Sequence, residues 1–292
     1  MNLEIMPRRI VEAVDRRVLG ALQLVDAVTR LPVVAATRLE VRGATRGGAP
    51  VDVALGENAV RILQNRRGVA VILRAPFFDS YAATFENPAT QPDPLRLRIA
   101  VIDAGPSYLP QEFDVDLPRA LDPDAPDSVF EPLPIGLFRA PNAPTQEGWA
   151  LLRVRVTRAG VNPPAPLPGV LVRVFASPPG ATPIGAGMTD WRGSIRGEAL
   201  VPVIGIQRFR PGSGANVIET DQPIELEVTR DSSFTGAPGQ LPNVPAILAA
   251  SGAGLIRPPA LPPGSHLDIL RPETTPIRLE AGREYVVELA MP

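Results

Sequence analysis

The chain has 292 residues, 45% hydrophobic and 21% charged, with 36 prolines, 25 glycines and a formal net charge of −2. It has no cysteine, a single histidine and no lysine among its 29 basic residues, which excludes disulfides, thiolate metal sites, cysteine nucleophiles, Schiff-base lysines and P-loop lysines. The length can bury two cores of ordinary size, and prolines, barred from helix interiors and central strands, point to an all-β fold rich in turns and ordered loops.

Taken in order, residues 1–15 read either as a short helix starting at Pro7, with Ile10, Val11 and Val14 on one side, or as an arm that adds to a sheet. Charges at Glu4, Arg8, Arg9, Glu12, Asp15, Arg16 and Arg17 leave no apolar stretch for a signal peptide. No run reaches the ~18 apolar residues of a membrane span, so synthesis and folding in the cytoplasm are expected. Val18, Leu22 and Leu24 open a strand, residues 29–32 turn it, and 35–41 return, with a helix over 10–28 as the competing reading. Residues 59–74 form a hairpin about Asn65 and Gly68, and Phe77, Phe78, Tyr81 and Phe85 cap one end of a core. Residues 95–101 alternate, with Arg96 and Arg98 facing outward, and Phe113, Val115 and Leu117 form a further strand. About seven strands in a hundred residues is the spacing of an immunoglobulin-like sandwich over 16–118.

Residues 119–148 are rich in proline and acid, yet Phe130, Leu133, Ile135, Leu137 and Phe138 need burial. They read as an ordered inter-domain strap. A second sandwich is expected over 149–292. In it, Val170, Val172 and Val174 alternate on a strand with one buried face, a turn follows at Thr189–Gly193, residues 224–228 form a strand, and 277–289 close as a hairpin. A long excursion at 231–265 carries Leu241, Val244, Ile247, Leu248, Leu255 and Ile256. It is too apolar for a free linker, so it covers either its own domain or a partner.

Sites of chemistry are sparse. His266 stands alone, and Ser194 and Ser213 lack the nucleophile-elbow pattern of an α/β-hydrolase. Asp122, Asp124 and Asp127 have loose calcium-loop spacing without the turn glycine or the closing glutamate. Asp79 with Glu86, or Asp103 with Asp114 and Asp116, could be paired carboxylates, but no aromatic sugar platform adjoins them. Trp149 and Trp191 suit core or inter-domain packing better than exposed binding. Scattered arginines argue against nucleic acid as a partner. No catalytic residue, metal or cofactor is expected.

On the strand 151–157, the segment 167–174, the turn Thr189, Asp190, Trp191, Arg192, Gly193 and a terminal hairpin with an aromatic before its valines, residues 148–292 resemble the carboxypeptidase-regulatory-like (transthyretin-like) sandwich family. That resemblance implies a fold and a non-catalytic role. On shorter motifs, Tyr108-Leu-Pro, Asp116-Leu-Pro-Arg119, Gly136-Leu-Phe-Arg139 and Gly148-Trp149, the layout is similar to two-sandwich accessory proteins of phage-tail-like contractile injection systems. Together these imply a non-enzymatic structural subunit of a larger protein assembly, with other subunits, or further copies of itself, as partners. The alternative is a free-standing adhesion or carbohydrate-binding module. The residues expected to carry interaction are Ile10, Val11, Val14, Leu241, Val244, Ile247, Leu248, Leu255 and Ile256.

Overall fold

A computed structural model describes residues 18–34, 37–53, 59–79, 81, 92–103, 107–176, 182–206, 210–211, 218–219, 221–231, 234–244 and 277–291. The regular structure in this part is almost wholly β, as the proline content and the alternating segments lead one to expect.

Two four-stranded sheets come first. One has the order β4 (Arg61–Gln64), β5 (Val69–Arg74), β1 (Gly20–Asp26), β8 (Leu133–Leu137); the other runs β3 (Ala49–Val51), β2 (Thr37–Arg46), β6 (Leu95–Asp103), β7 (Gln111–Leu117). Their facing residues form one apolar cluster. Leu22, Leu24, Ala70, Ile72, Ile135 and Leu137 come from the first sheet, and Leu95, Leu97, Ile99, Phe113, Val115 and Leu117 from the second. Phe78 and Tyr81 close one end edge to face, ring centroids 5.9 Å apart. Phe77 does not join them: its backbone is left-handed at φ 69°, and the exposed ring lies 4.4 Å under the Arg46 guanidinium. Phe85 lies outside the described residues.

The turn after β1 forms where the sequence places it, but β2 does not return along β1. Pro32 and Val33 pair briefly with Val25 and Leu24, and the chain then leaves for the other sheet, where β2 pairs with β6. The reason is occupancy. β5 takes one edge of β1 and β8 runs parallel along the other, so the expected strap supplies a strand of the first sheet.

The remaining strands form one eight-stranded sheet in the order β10 (Ala165–Pro166), β9 (Ala150–Arg158), β13 (Glu198–Val203), β12 (Gly185–Met188), β11 (Val170–Ala176), β16 (Asp221–Arg230), β17 (Ile277–Glu280), with β18 (Glu284–Met291) parallel to β9. A two-stranded ribbon, β14 (Arg210–Pro211) with β15 (Ile218–Glu219), stands apart. The sheet folds over a second cluster built by alternation: Leu152, Val154 and Val156, then Val170, Val172 and Val174, then Val201, Ile224, Leu226, Leu279, Val287 and Leu289. Close approach of β12 to β13 requires glycine. A Cβ on Gly187 would stand 2.5 Å from the Leu200 carbonyl oxygen.

The terminal hairpin is corrected in its pairing. Both segments are strands, but β17 pairs with β16 and β18 with β9. The Gly282 amide donates to the Trp149 carbonyl and the Leu151 amide to the Arg283 carbonyl, so the chain is captured by β9 as it leaves the turn.

The outward face of the β2–β6–β7 sheet is a ladder of charge. Arg96 pairs with Asp116 at 2.7 Å and Arg98 with Asp114 at 3.4 Å, while Glu40 lies between Arg38 and Arg42. Exposed pairs of this kind contribute little each. Glu112 differs, because burial pushes its carboxyl above the ordinary range while Arg98 and Arg42 pull it back. A folded-state pKa above the unfolded one means that stability is lost as pH rises through that window and retained below it. Glu112→Gln is therefore expected to raise the melting temperature at neutral pH and to leave it unchanged in acid below the glutamate range. Thermal melts across pH check this, and a shift equal at every pH would contradict it.

Candidate functional site

The turn after β12 shows how firmly polar groups are fixed here. Thr189 and Asp190 are fully buried. The Thr189 hydroxyl donates to the Leu167 carbonyl and accepts from the Val170 amide, both at 2.8 Å. The Asp190 carboxylate accepts the Arg192 amide at 2.8 Å and both arms of its guanidinium at 3.0 Å. Trp191 between them is directed onto Phe234, edge to face at 5.6 Å. Gly169 leaves room for that ring, since a Cβ there would fall inside it.

This aromatic pair belongs to a third apolar cluster, which forms a seam between the earlier and later sheets. Leu109, Phe138 and Ala140 come from one side, and Leu171, Met188, Trp191, Phe234 and Val244 from the other. Strand β11 was expected to bury one face, but it buries two: Val170, Val172 and Val174 point inward while Leu171 and Phe175 are buried on the other side. Leu171 and Met188 share this cluster with residues from before residue 141 and after residue 233.

Hydrogen bonds stitch the same seam. The Glu112 amide donates to the Pro242 carbonyl at 2.9 Å, Asn243 Nδ2 donates to Asp114 Oδ2 at 3.3 Å, and Arg153 Nη1 donates to the Pro141 carbonyl at 2.7 Å. On the far side of β11 from its core, Arg173 Nε donates to Glu227 Oε1 at 2.8 Å, and both side chains are nearly free of solvent.

At the rim sits a cluster of four polar and aromatic side chains, Asp26, Tyr108, Arg139 and Trp149. Asp26 ends β1 with its side chain only 3% exposed. Its Oδ1 accepts the Val28 and Thr29 amides at 3.0 and 2.9 Å, tying down the turn. Its Oδ2 accepts the Tyr108 hydroxyl at 3.2 Å and lies 2.7 Å from Arg139 Nε, an ion pair too bent to be a hydrogen bond. The Arg139 guanidinium lies 4.8 Å from the Trp149 ring centroid and donates through Nη1 to the Pro144 carbonyl at 2.8 Å. One arginine thus joins β1, the loop before β7 and the entry to β9.

A cleft of about 480 Å³ opens along the seam, lined by Ala27, Arg30, Phe138, Arg173, Ile184 and Val244 among others. Among the described residues no group of three or more histidines, aspartates and glutamates could hold a metal ion. The described carboxylates weighed as paired acids each form an ion pair with an arginine. Asp79 pairs with Arg74, Asp114 with Arg98 and Asp116 with Arg96. Glu86, His266 and the Asp103 side chain lie outside the described residues.

Of the expected interaction residues, Val244 is buried in the seam and Leu241 packs against it. Ile10, Val11, Val14, Ile247, Leu248, Leu255 and Ile256 lie outside the described residues. The Asp26, Tyr108, Arg139 and Trp149 group was not foreseen as a site. Its signals in the sequence are an aspartate ending an apolar run that must be buried and the short motifs that hold Tyr108, Arg139 and Trp149.

The chain matches no protein-family model and no curated protein. Among solved structures it is similar to a minor pilin of the Gram-positive pathogen Streptococcus agalactiae, at 11% identity and a TM-score of 0.25, over 93% of this chain and 95% of that one. A TM-score of that size establishes no common fold.

Removing one partner of a buried ion pair strands the other. Asp26→Ala is expected to cost about 3–5 kcal/mol in denaturant unfolding, and Asp26→Ala with Arg139→Met distinctly less than the single change. A single change that costs no more than an exposed pair would show that the group carries no structural load.

Proposed function

We propose that this chain is a non-enzymatic structural subunit of a larger protein assembly, of the phage-tail-like contractile injection kind. The observation that supports the reading best is the use made of its charged side chains. Asp26 holds Arg139, Glu227 holds Arg173, Asp190 holds Arg192, and Asp114 and Asp116 hold Arg98 and Arg96. Asp26, Glu227 and Asp190 are fully or almost fully buried, and the first two hold arginines of separate segments.

The motifs behind the injection-system resemblance also converge. Tyr108, Arg139 and Trp149 meet around Asp26 at the rim of the seam, the Arg139 guanidinium lying 5.8 Å from the Tyr108 ring centroid and 4.8 Å from that of Trp149. Under this reading the chain folds in the cytoplasm and enters its particle as a finished rigid body. Under the same reading Ile247 and Leu248 are the residues that meet a neighbouring subunit.

Isolated under native conditions from its own cells, the protein is expected to migrate with other proteins at many times its 31.1 kDa. Ile247→Asp with Leu248→Asp should abolish that co-migration and leave the melting temperature of the isolated chain unchanged. A wild-type chain that migrates alone would overturn the reading.

A further inference from the structure

The loop that follows β7 is built unlike the rest of the surface. Its base is Arg119, 6% exposed, whose guanidinium donates to the Asp127 carbonyl at 3.0 Å and the Ala21 carbonyl at 3.4 Å. Ser128 is fully buried beside it. The Ala120 amide donates to Asp127 and the Val129 amide to Ala120, forming a short parallel bridge between the loop's two limbs. Within the loop, the Ala125 amide donates to the Asp122 carbonyl, the Asp124 amide to Asp122 Oδ1, and the Ser128 amide to the Ala125 carbonyl. The Phe130 amide is held by the Ser128 hydroxyl. Nearly every turn of the backbone is tied.

A loop ordered at this cost in conformational entropy normally covers its own apolar side chains. This one does the reverse. Leu121 is 48% exposed and Phe130 64%, each one residue beyond the bonded pair Ala120 and Val129. Around them Asp122, Asp124, Asp127 and Glu131 are all exposed, and none of these four forms an ion pair with a described arginine. Elsewhere on this chain an exposed carboxylate beside a strand usually meets an arginine, as Asp116 and Glu284 do. Here no described arginine compensates the acidic rim.

We infer that the loop 118–131 is a preformed docking knob, with Phe130 and Leu121 as its apolar anchor, for a partner protein that presents an apolar socket rimmed by arginine or lysine. Aromatic anchors in desolvated pockets carry most of the energy of protein interfaces, and a rigid loop avoids the ordering cost on binding. The four carboxylates would steer such a partner and reject surfaces of like charge, anionic membranes among them. The inference rests on the reading of the chain as an assembly subunit and names the surface through which it joins.

Two measurements test it. Phe130→Ser with Leu121→Ser touches only exposed side chains, so the melting temperature should stay that of the wild type. In the source cells the variant should fall out of the high-mass fraction in which the wild type migrates. A variant that stays there overturns the knob but leaves the subunit reading standing.

Independently, a photoreactive phenylalanine analogue at position 130 should crosslink in those cells to one protein, at an apolar site flanked by arginine or lysine. The triple change Asp122→Asn, Asp124→Asn, Asp127→Asn should cut the yield about tenfold. Adducts to many proteins, to lipid or to a second copy of this chain, no adduct at all, or a yield indifferent to the three asparagines, would each overturn the inference, whatever the native mass of the wild type.

Discussion

Strand β11 buries apolar side chains on both faces, and covering them joins the earlier sheets to the later one. Three valines fill the inner face, while Leu171 and Phe175 occupy the outer. A buried side chain of this size contributes roughly 1.5–3 kcal/mol relative to water, so an outer face left bare would forfeit several such contributions. The chain covers it from two directions. Leu109 and Phe138 arrive from the side of the first sheets, and Phe234 and Val244 from the loop after β16. Trp191 packs on Phe234 from a turn whose threonine and aspartate are buried and hydrogen-bonded to backbone. The seam is thus a third core, not a contact between finished surfaces.

At the rim of that core the chain needs charge that can also pack. Arginine does both, because its planar guanidinium can stack on an aromatic ring while its edge pairs with a carboxylate. Arg139 lies over Trp149, faces Asp26 and still reaches the Pro144 carbonyl. Burying such a pair contributes little net stability compared with apolar residues of equal size. With Asp26 also holding the turn amides, the pair ties the end of β1 to the segment that leads into β9.

Local pattern in the sequence carried the strands well. Alternation over 95–101 and 151–157 and the Asn65–Gly68 turn each produce the expected element, because these signals depend only on neighbours along the chain. Pairing partners were less legible. Adjacent strands joined by a short turn read as hairpins, yet β17 and β18 part company because β9 offers a free edge. The second face of β11 was also concealed, since Arg173 among the valines imitates polar alternation, and Glu227, 54 residues later, is what makes that arginine buriable. Phe130 failed in the opposite sense. Hydrophobicity marked it for burial, and only the bonded loop geometry shows that it faces water. Of the candidate site, Leu241 and Val244 were visible as apolar residues in an irregular segment. The cluster about Asp26 was hidden because it assembles from four separated stretches.

The central claim is that the seam joins the sheets into one body, and differential scanning calorimetry tests it most directly. The wild-type chain should melt in a single transition whose calorimetric and van't Hoff enthalpies agree, and Leu171→Asp should split it into two. Two independent transitions in the wild type, unchanged by Leu171→Asp, would contradict the account.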